Sequence, residues 1–309
     1  MFRKLLKHDL KSVGRVCLPI TIGAAVLAIF GFVMSCVHTI LNLHTQDIYV
    51  LSMEAYEKGN EGLSSVYDIL YSLAHLTNFV SVMTMLFVFI AFAVLSIAVT
   101  VLIVVNFYKT LITDQGYLTF TLPVSPTKIL VSKILNGAIW GTLIAIVTLI
   151  GTVLMFAPSL IFDDQSIIGF MLDSFFESVH PINSILMVFL YVENWFVGLL
   201  ASLIFYFFAV FLGGVVAPKG KFATGAAFII AGHVLYYVFQ QILSVVVMFA
   251  MLIIFALIVE IGWASSMDAL DPILMSNISM LISFVVLVII GVVLFFMTKW
   301  LMNKKLNLP

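Results

Sequence analysis

Apolar positions along this chain come in blocks longer than any soluble helix or strand requires. Windows free of charged residues run over 16–46, 69–108, 134–162, 194–218, 222–259 and 272–298. An α-helix rises 1.5 Å per residue, so about 20 apolar residues cross the hydrocarbon layer of a bilayer. The pattern predicts an all-α, polytopic membrane protein with six transmembrane helices.

The polar positions between these blocks sort by sign. Arg3, Lys4, Lys7, Lys11 and Arg15 precede span one; Lys109, Lys128 and Lys133 lie between spans two and three; Lys219 and Lys221 lie between four and five; Lys299, Lys304 and Lys305 follow six. The alternate connections are acidic, with Asp47, Glu54, Glu57, Glu61 and Asp68, then Asp163, Asp164, Asp173 and Glu177, then Asp268 and Asp271; among them only Lys58 is basic. Lys and Arg are retained in the cytoplasm, so both termini are expected inside.

Several elements within this frame have their own signatures. Residues 2–13 place Phe2, Leu5, Leu6, Leu10 and Val13 on one helical face and cations on the rest. That predicts an interfacial helix over 1–15, its cations near anionic headgroups; the alternative is the cytoplasmic tip of span one. Residues 42–77, acidic and rich in tyrosine, are expected to form an extracellular loop. Span two is long enough for its cytoplasmic end to protrude. In span three Gly137, Gly141 and Ala145 form a close-packing face, expected to work within the chain. Residues 222–259 are too long for one span, yet two full crossings would put Lys299, Lys304 and Lys305 outside, against the charge bias. A re-entrant hairpin and outer loop over 244–276, between spans five and six, solves that, with a break near Gln240, Gln241 and Ser244; one strongly tilted helix is the alternative.

Composition closes off other classes. The chain has 309 residues, 63% hydrophobic and 9% charged, with a mean hydropathy of +1.22, whereas soluble domains carry roughly 25% charge. Cys17 and Cys36 would stand about 28 Å apart on one helix, beyond disulfide reach. The basic N-terminus resembles a signal peptide, yet the apolar run behind it is too long for one, which favours a retained first span.

Chemistry is sparse. Gly220-Lys221 lacks the upstream glycine and following hydroxyl of a phosphate loop, and no HExxH or CxxC occurs. The six histidines, His8, His38, His44, His75, His180 and His233, are scattered; His233 lies deep in span five and is read as a packed ring with one hydrogen bond. Glu193 and Glu260 fall near span ends, so neither marks a midplane ion path. A lipid-head-group transferase would need clustered acids or histidines at a membrane face, and the basic side offers only Asp9 and Asp114, which look isolated.

The stretch DQGYLTFTLPVSPTKILVSK, residues 114–133, resembles the segment between spans two and three in permease subunits of ABC-2-type (type V fold) ABC transporters of Gram-positive bacteria. The resemblance extends to the basic N-terminal helix and the six spans. It implies a cytoplasmic coupling loop over 109–128, with a coupling helix around Asp114 to Leu122 that docks on a separate ATPase. The residues suit that role. Tyr117, Leu118, Phe120 and Leu122 supply an apolar surface, Asp114 caps the helix, Pro123 ends it, and Gly116 allows close backbone approach. The alternative is that these aromatics lie on the inner leaflet.

By the same resemblance the chain is a permease subunit, not itself an enzyme, with no cofactor of its own. ATP and Mg would sit on two ATPase copies, and a second permease chain, identical or homologous, would complete the complex in the cell membrane. No nucleic acid partner is implied. The charge-free spans favour a hydrophobic or amphipathic cargo such as a peptide, lipid or drug. The competing expectations are an immunity or sensory subunit that acts with an ATPase on an extracellular peptide, and an ion-coupled transporter.

Overall fold

A computed structural model describes residues 2–59, 61–112, 124–162, 181–216, 222–260 and 272–305. Within these segments the side chains of 46, 61, 162, 181–184, 214–216, 222–230, 233, 251, 254–260, 272–275 and 305 are not described. Every described segment is built on a helix, and there is no strand among the described residues. The helices are α1 (Phe2–Glu57), α2 (Glu61–Leu111), α3 (Pro126–Phe162), α4 (Pro181–Val216), α5 (Phe222–Glu260) and α6 (Pro272–Lys305).

Proline opens three of these helices, where its missing N–H costs nothing and its fixed φ suits the first turn. At α3 the residue before it, Ser125, accepts backbone bonds from Lys128 N at 2.9 Å and Ile129 N at 3.3 Å. α1 ends at the opposite kind of signal. Gly59 adopts φ +68°, and its N–H bonds Tyr56 O at 3.0 Å. Only glycine takes that left-handed conformation without a Cβ penalty.

α1, α2, α3, α4 and α6 are each long and apolar enough to cross a bilayer. Their large apolar side chains are exposed along the length, among them Ile29, Phe87, Leu149, Val188 and Phe296. Water-soluble monomers do not display apolar surface on this scale, so helix length and hydropathy define a multi-pass membrane protein. In α5 the described apolar run is Val234–Ala250.

The chain divides into two compact units: Met1–Cys17, Val99–Thr142 and Phe176–Pro309 form one, Leu18–Ala98 and Leu143–Phe175 the other. In the second, Ala28, Val88, Phe92 and Met155 make a buried core. Close helix approach there depends on glycine. A Cβ on Gly151 would lie 2.7 Å from Phe92 and 2.8 Å from Ala28, and one on Gly31 would lie 3.0 Å from Met155. The Ser35 hydroxyl donates to the Met155 carbonyl, which gives α1 and α3 a polar bond as well.

Contacts in the first unit fix the direction of every helix. Asp9 meets Lys133 and Gly14 meets Trp140, so α1 and α3 run parallel. Gly137 packs on Leu203 and Gly141 on Leu199, so α3 and α4 run antiparallel. Gly137 also faces Ile103, while Phe107 stacks on Phe207 at 3.9 Å, so α2 runs with α4. Gly232 lies against Ala209 and Leu243 against Ala201, so α5 opposes α4. Asn194 Nδ2 donates to Met280 O at 2.6 Å and Ala201 packs on Leu287, so α6 runs with α4. Successive helices therefore alternate in direction, as successive membrane crossings must. The glycine face of α3 packs inside the chain, as expected.

Three expectations about elements need correction. The 1–15 segment is helical but continuous with span one, because no cap or break separates Arg15 from the apolar run and Pro19 is accommodated inside α1. Residues 42–77 are helical on both sides of a turn at 58–59; Glu, Ala, Leu and Lys are good helix formers whatever their polarity. The α2 end next to residues 113–123 is packed within the chain, with Phe107 and Leu111 buried. α5 passes through Gln240, Gln241 and Ser244 unbroken. The Gln240 amide donates to the Tyr236 hydroxyl at 2.7 Å and Ser244 Oγ to Gln241 O at 2.8 Å, so these side chains are satisfied within an intact helix. Of the expected 244–276 hairpin, 244–260 and 272–276 are helical, and 261–271 lie outside the described residues.

Candidate functional site

The seven residues expected to dock an ATPase, Asp114, Gly116, Tyr117, Leu118, Phe120, Leu122 and Pro123, lie outside the described residues. Their flanks are described. On the α2 side Ile103, Val104, Phe107 and Leu111 are buried; on the α3 side Ile129, Leu130, Ser132, Lys133 and Asn136 are buried. Phe107 stacks flat on Phe207, with 5° between the rings. Gly137 seats both Ile103 and Leu203 where a Cβ would come within 3.0–3.1 Å of each. Both stems of the 113–123 stretch are therefore set in dense packing, which transmits displacement instead of absorbing it.

One contact among these stems carries charge. Lys133 Nζ lies 2.6 Å from Asp9 Oδ1, and Ser132 Oγ donates to Asp9 Oδ2 at 2.8 Å. The Asp9 and Lys133 side chains are 5% and 4% exposed. Asn136 Nδ2 adds a long bond of 3.5 Å to the Asp9 backbone carbonyl. Helix geometry explains the convergence. Asp9 follows Leu5 and precedes Val13 by one turn, so it points with the packed face of α1. Ser132, Lys133 and Asn136 share one face of α3 by their spacing of one, three and four. One turn further, a Cβ on Gly14 would stand 2.8 Å from the Trp140 ring.

Such a pair can hold but has little scope to react. Both carboxylate oxygens are engaged and nearly out of solvent, so among the described residues the pair offers little room for a metal or a substrate proton. The surroundings are less complete: Asn136 Oδ1 and Trp140 Nε1 are buried without a hydrogen-bond partner among the described residues. The other cations of α1's first turns, Arg3, Lys4, Lys7, Lys11 and Arg15, are exposed.

Other sequence candidates are dispersed. Glu193 is half-buried between the exposed Tyr191 and Trp195. His44 Nδ1 lies 2.9 Å from Ile40 O, and His75 meets the Tyr71 ring edge-on at 4.3 Å. The side chains of His233 and Glu260 are not among those described, and His180 lies outside the described residues. Cys17 and Cys36 are free. No group of three or more His, Cys, Asp or Glu side chains with metal-holding geometry occurs among the described residues.

Sequence reasoning missed the pairing of Asp9 with Lys133 and took Asp9 as isolated. The signal was present: an acid at the centre of the Leu5, Leu6, Val13 stripe, in a segment otherwise cationic. Comparison with protein-family models, with curated proteins and with solved structures finds no match to this chain.

Proposed function

We propose that this chain is the permease subunit of an ATP-driven membrane transporter and docks a separate ATPase through residues 114–123. The observation that carries the reading is the DQGYLTFTLPVS stretch set between two densely packed helix ends. A short apolar segment between rigid stems suits a lever, and four large apolar side chains in so short a segment favour a partner surface. The alternating helix directions agree with six crossings and with both termini on the basic, cytoplasmic side.

On this reading two permease chains and two ATPases make the working complex, and ATP-driven closure of the ATPases moves the helices through the loop. The apolar lining favours a hydrophobic or amphipathic cargo. Co-expression with a candidate ABC-type ATPase from the same genome tests the proposal. The ATPase should co-purify with the wild-type chain and be lost from the Tyr117→Ala/Phe120→Ala variant, and equal recovery from both contradicts it.

A second reading, an immunity or sensory subunit acting on an extracellular peptide, draws on the helical arm formed where α1 and α2 continue to the Gly59 turn. The arm carries Glu54, Glu57 and Asp68 beside exposed Tyr49 and Tyr56. Neutralising the three acids should then abolish peptide resistance while ATPase co-purification persists; unchanged resistance removes this reading.

A further inference from the structure

We propose that Asp9 and Lys133 are positioning residues that tie the first turns of α1 to the stem of the 113–123 loop, so that both move as one body. The inference rests on the permease reading for its function, but the tie itself does not. Three observations carry it.

First, the pair joins segments 124 residues apart in sequence, both buried, with Ser132 fixing the second carboxylate oxygen. Second, Lys133 stands two turns into α3, whose first residue Pro126 comes three residues after position 123; movement of the stem reaches Lys133 through helical backbone. Third, the α1 segment carries five exposed cations, and Asp9 is its one acid. The Asp9 carboxylate attracts Lys133 to this segment; without it the segment carries only cations. A buried ion pair is often no better for stability than apolar residues of similar size, whereas it fixes direction and register sharply. Gly14 against Trp140 supplies a second point of attachment in the same parallel register. A hydrophobic contact alone would let these segments slide.

The test uses the full chain in lipid nanodiscs, with Cys17 and Cys36 replaced by Ala and nitroxide labels at the exposed positions Ser12→Cys and Lys128→Cys. Spin-echo distances should form one narrow distribution in this background and with Lys133→Arg, which keeps the charge. The distribution should broaden with Asp9→Asn and with Lys133→Met. A broad distribution in the background, or a narrow one in both neutral variants, overturns the tie without reference to any ATPase. If one neutral variant fails to fold, the other decides.

A second arm separates positioning from support of the fold. With the ATPase bound, ATP should change the thiol-labelling rate several-fold at both Lys128→Cys and Arg15→Cys. In Asp9→Asn the response should persist at Lys128→Cys and vanish at Arg15→Cys. A response retained at Arg15→Cys overturns the proposal. Failure of the ATPase to bind at all counts against the permease reading instead, and the distance measurement still stands.

Discussion

At Lys133 a single side chain decides between attraction and a buried orphan charge. Removing one partner of a buried ion pair typically costs about 3–5 kcal/mol, because the other is left unpaired in a dry site. Lys133→Met should therefore lower unfolding stability in detergent by roughly that amount, while Asp9→Leu/Lys133→Met should recover most of the loss. Equal losses in both would mean that the pair contributes nothing beyond its local packing. Asn136→Leu is expected to be mild, since it removes only a 3.5 Å bond and an unpartnered oxygen. The two glycine types make a sharper contrast. Gly151→Ala drives a Cβ into Phe92 and Ala28 and should destabilise by about 1–3 kcal/mol. A Cβ on Gly198 meets nothing within 4 Å, so Gly198→Ala should be neutral or stabilising by about 0.4–1 kcal/mol. Thermal unfolding of the two variants side by side checks both signs.

Among the elements, hydropathy located the spans well and their ends poorly. The charge-free windows recovered five crossing helices because a bilayer demands long apolar runs. They misread 42–77, because charge reports contact with water and says nothing about backbone conformation. The real punctuation was local: Pro126, Pro181 and Pro272 open helices, and Gly59 closes one. Gly59→Ala should thus destabilise the α1–α2 turn by about 1 kcal/mol, read as faster amide exchange over residues 54–66; unchanged exchange would show that the turn does not need the left-handed conformation. α5 is the other case. Gln240, Gln241 and Ser244 looked like breakers because polar groups in an apolar run demand partners, and they find them one turn away in the same helix. Gln240→Pro should therefore disrupt α5 and lower expression of folded protein, whereas a break already sited there would tolerate it.

For the molecule as a whole, the legible and illegible parts divide along the range of the interactions. Periodicity and charge bias are read within a few residues of a position, and they gave the helical class and the alternating sides. The tie between Asp9 and Lys133 needs α1 and α3 to be brought together, and a sequence window of any one helix contains only half of it. The seven residues expected to dock an ATPase rest on the sequence, beside helix ends that are buried and closely packed. On the permease reading residues 114–123 meet an ATPase and not the inner leaflet. A photo-reactive phenylalanine analogue in place of Tyr117, irradiated in cells that co-express the candidate ATPase, distinguishes the two directly. A cross-linked species containing both proteins is the expected result; cross-linking to lipid alone, with the ATPase present and folded, rules the docking out.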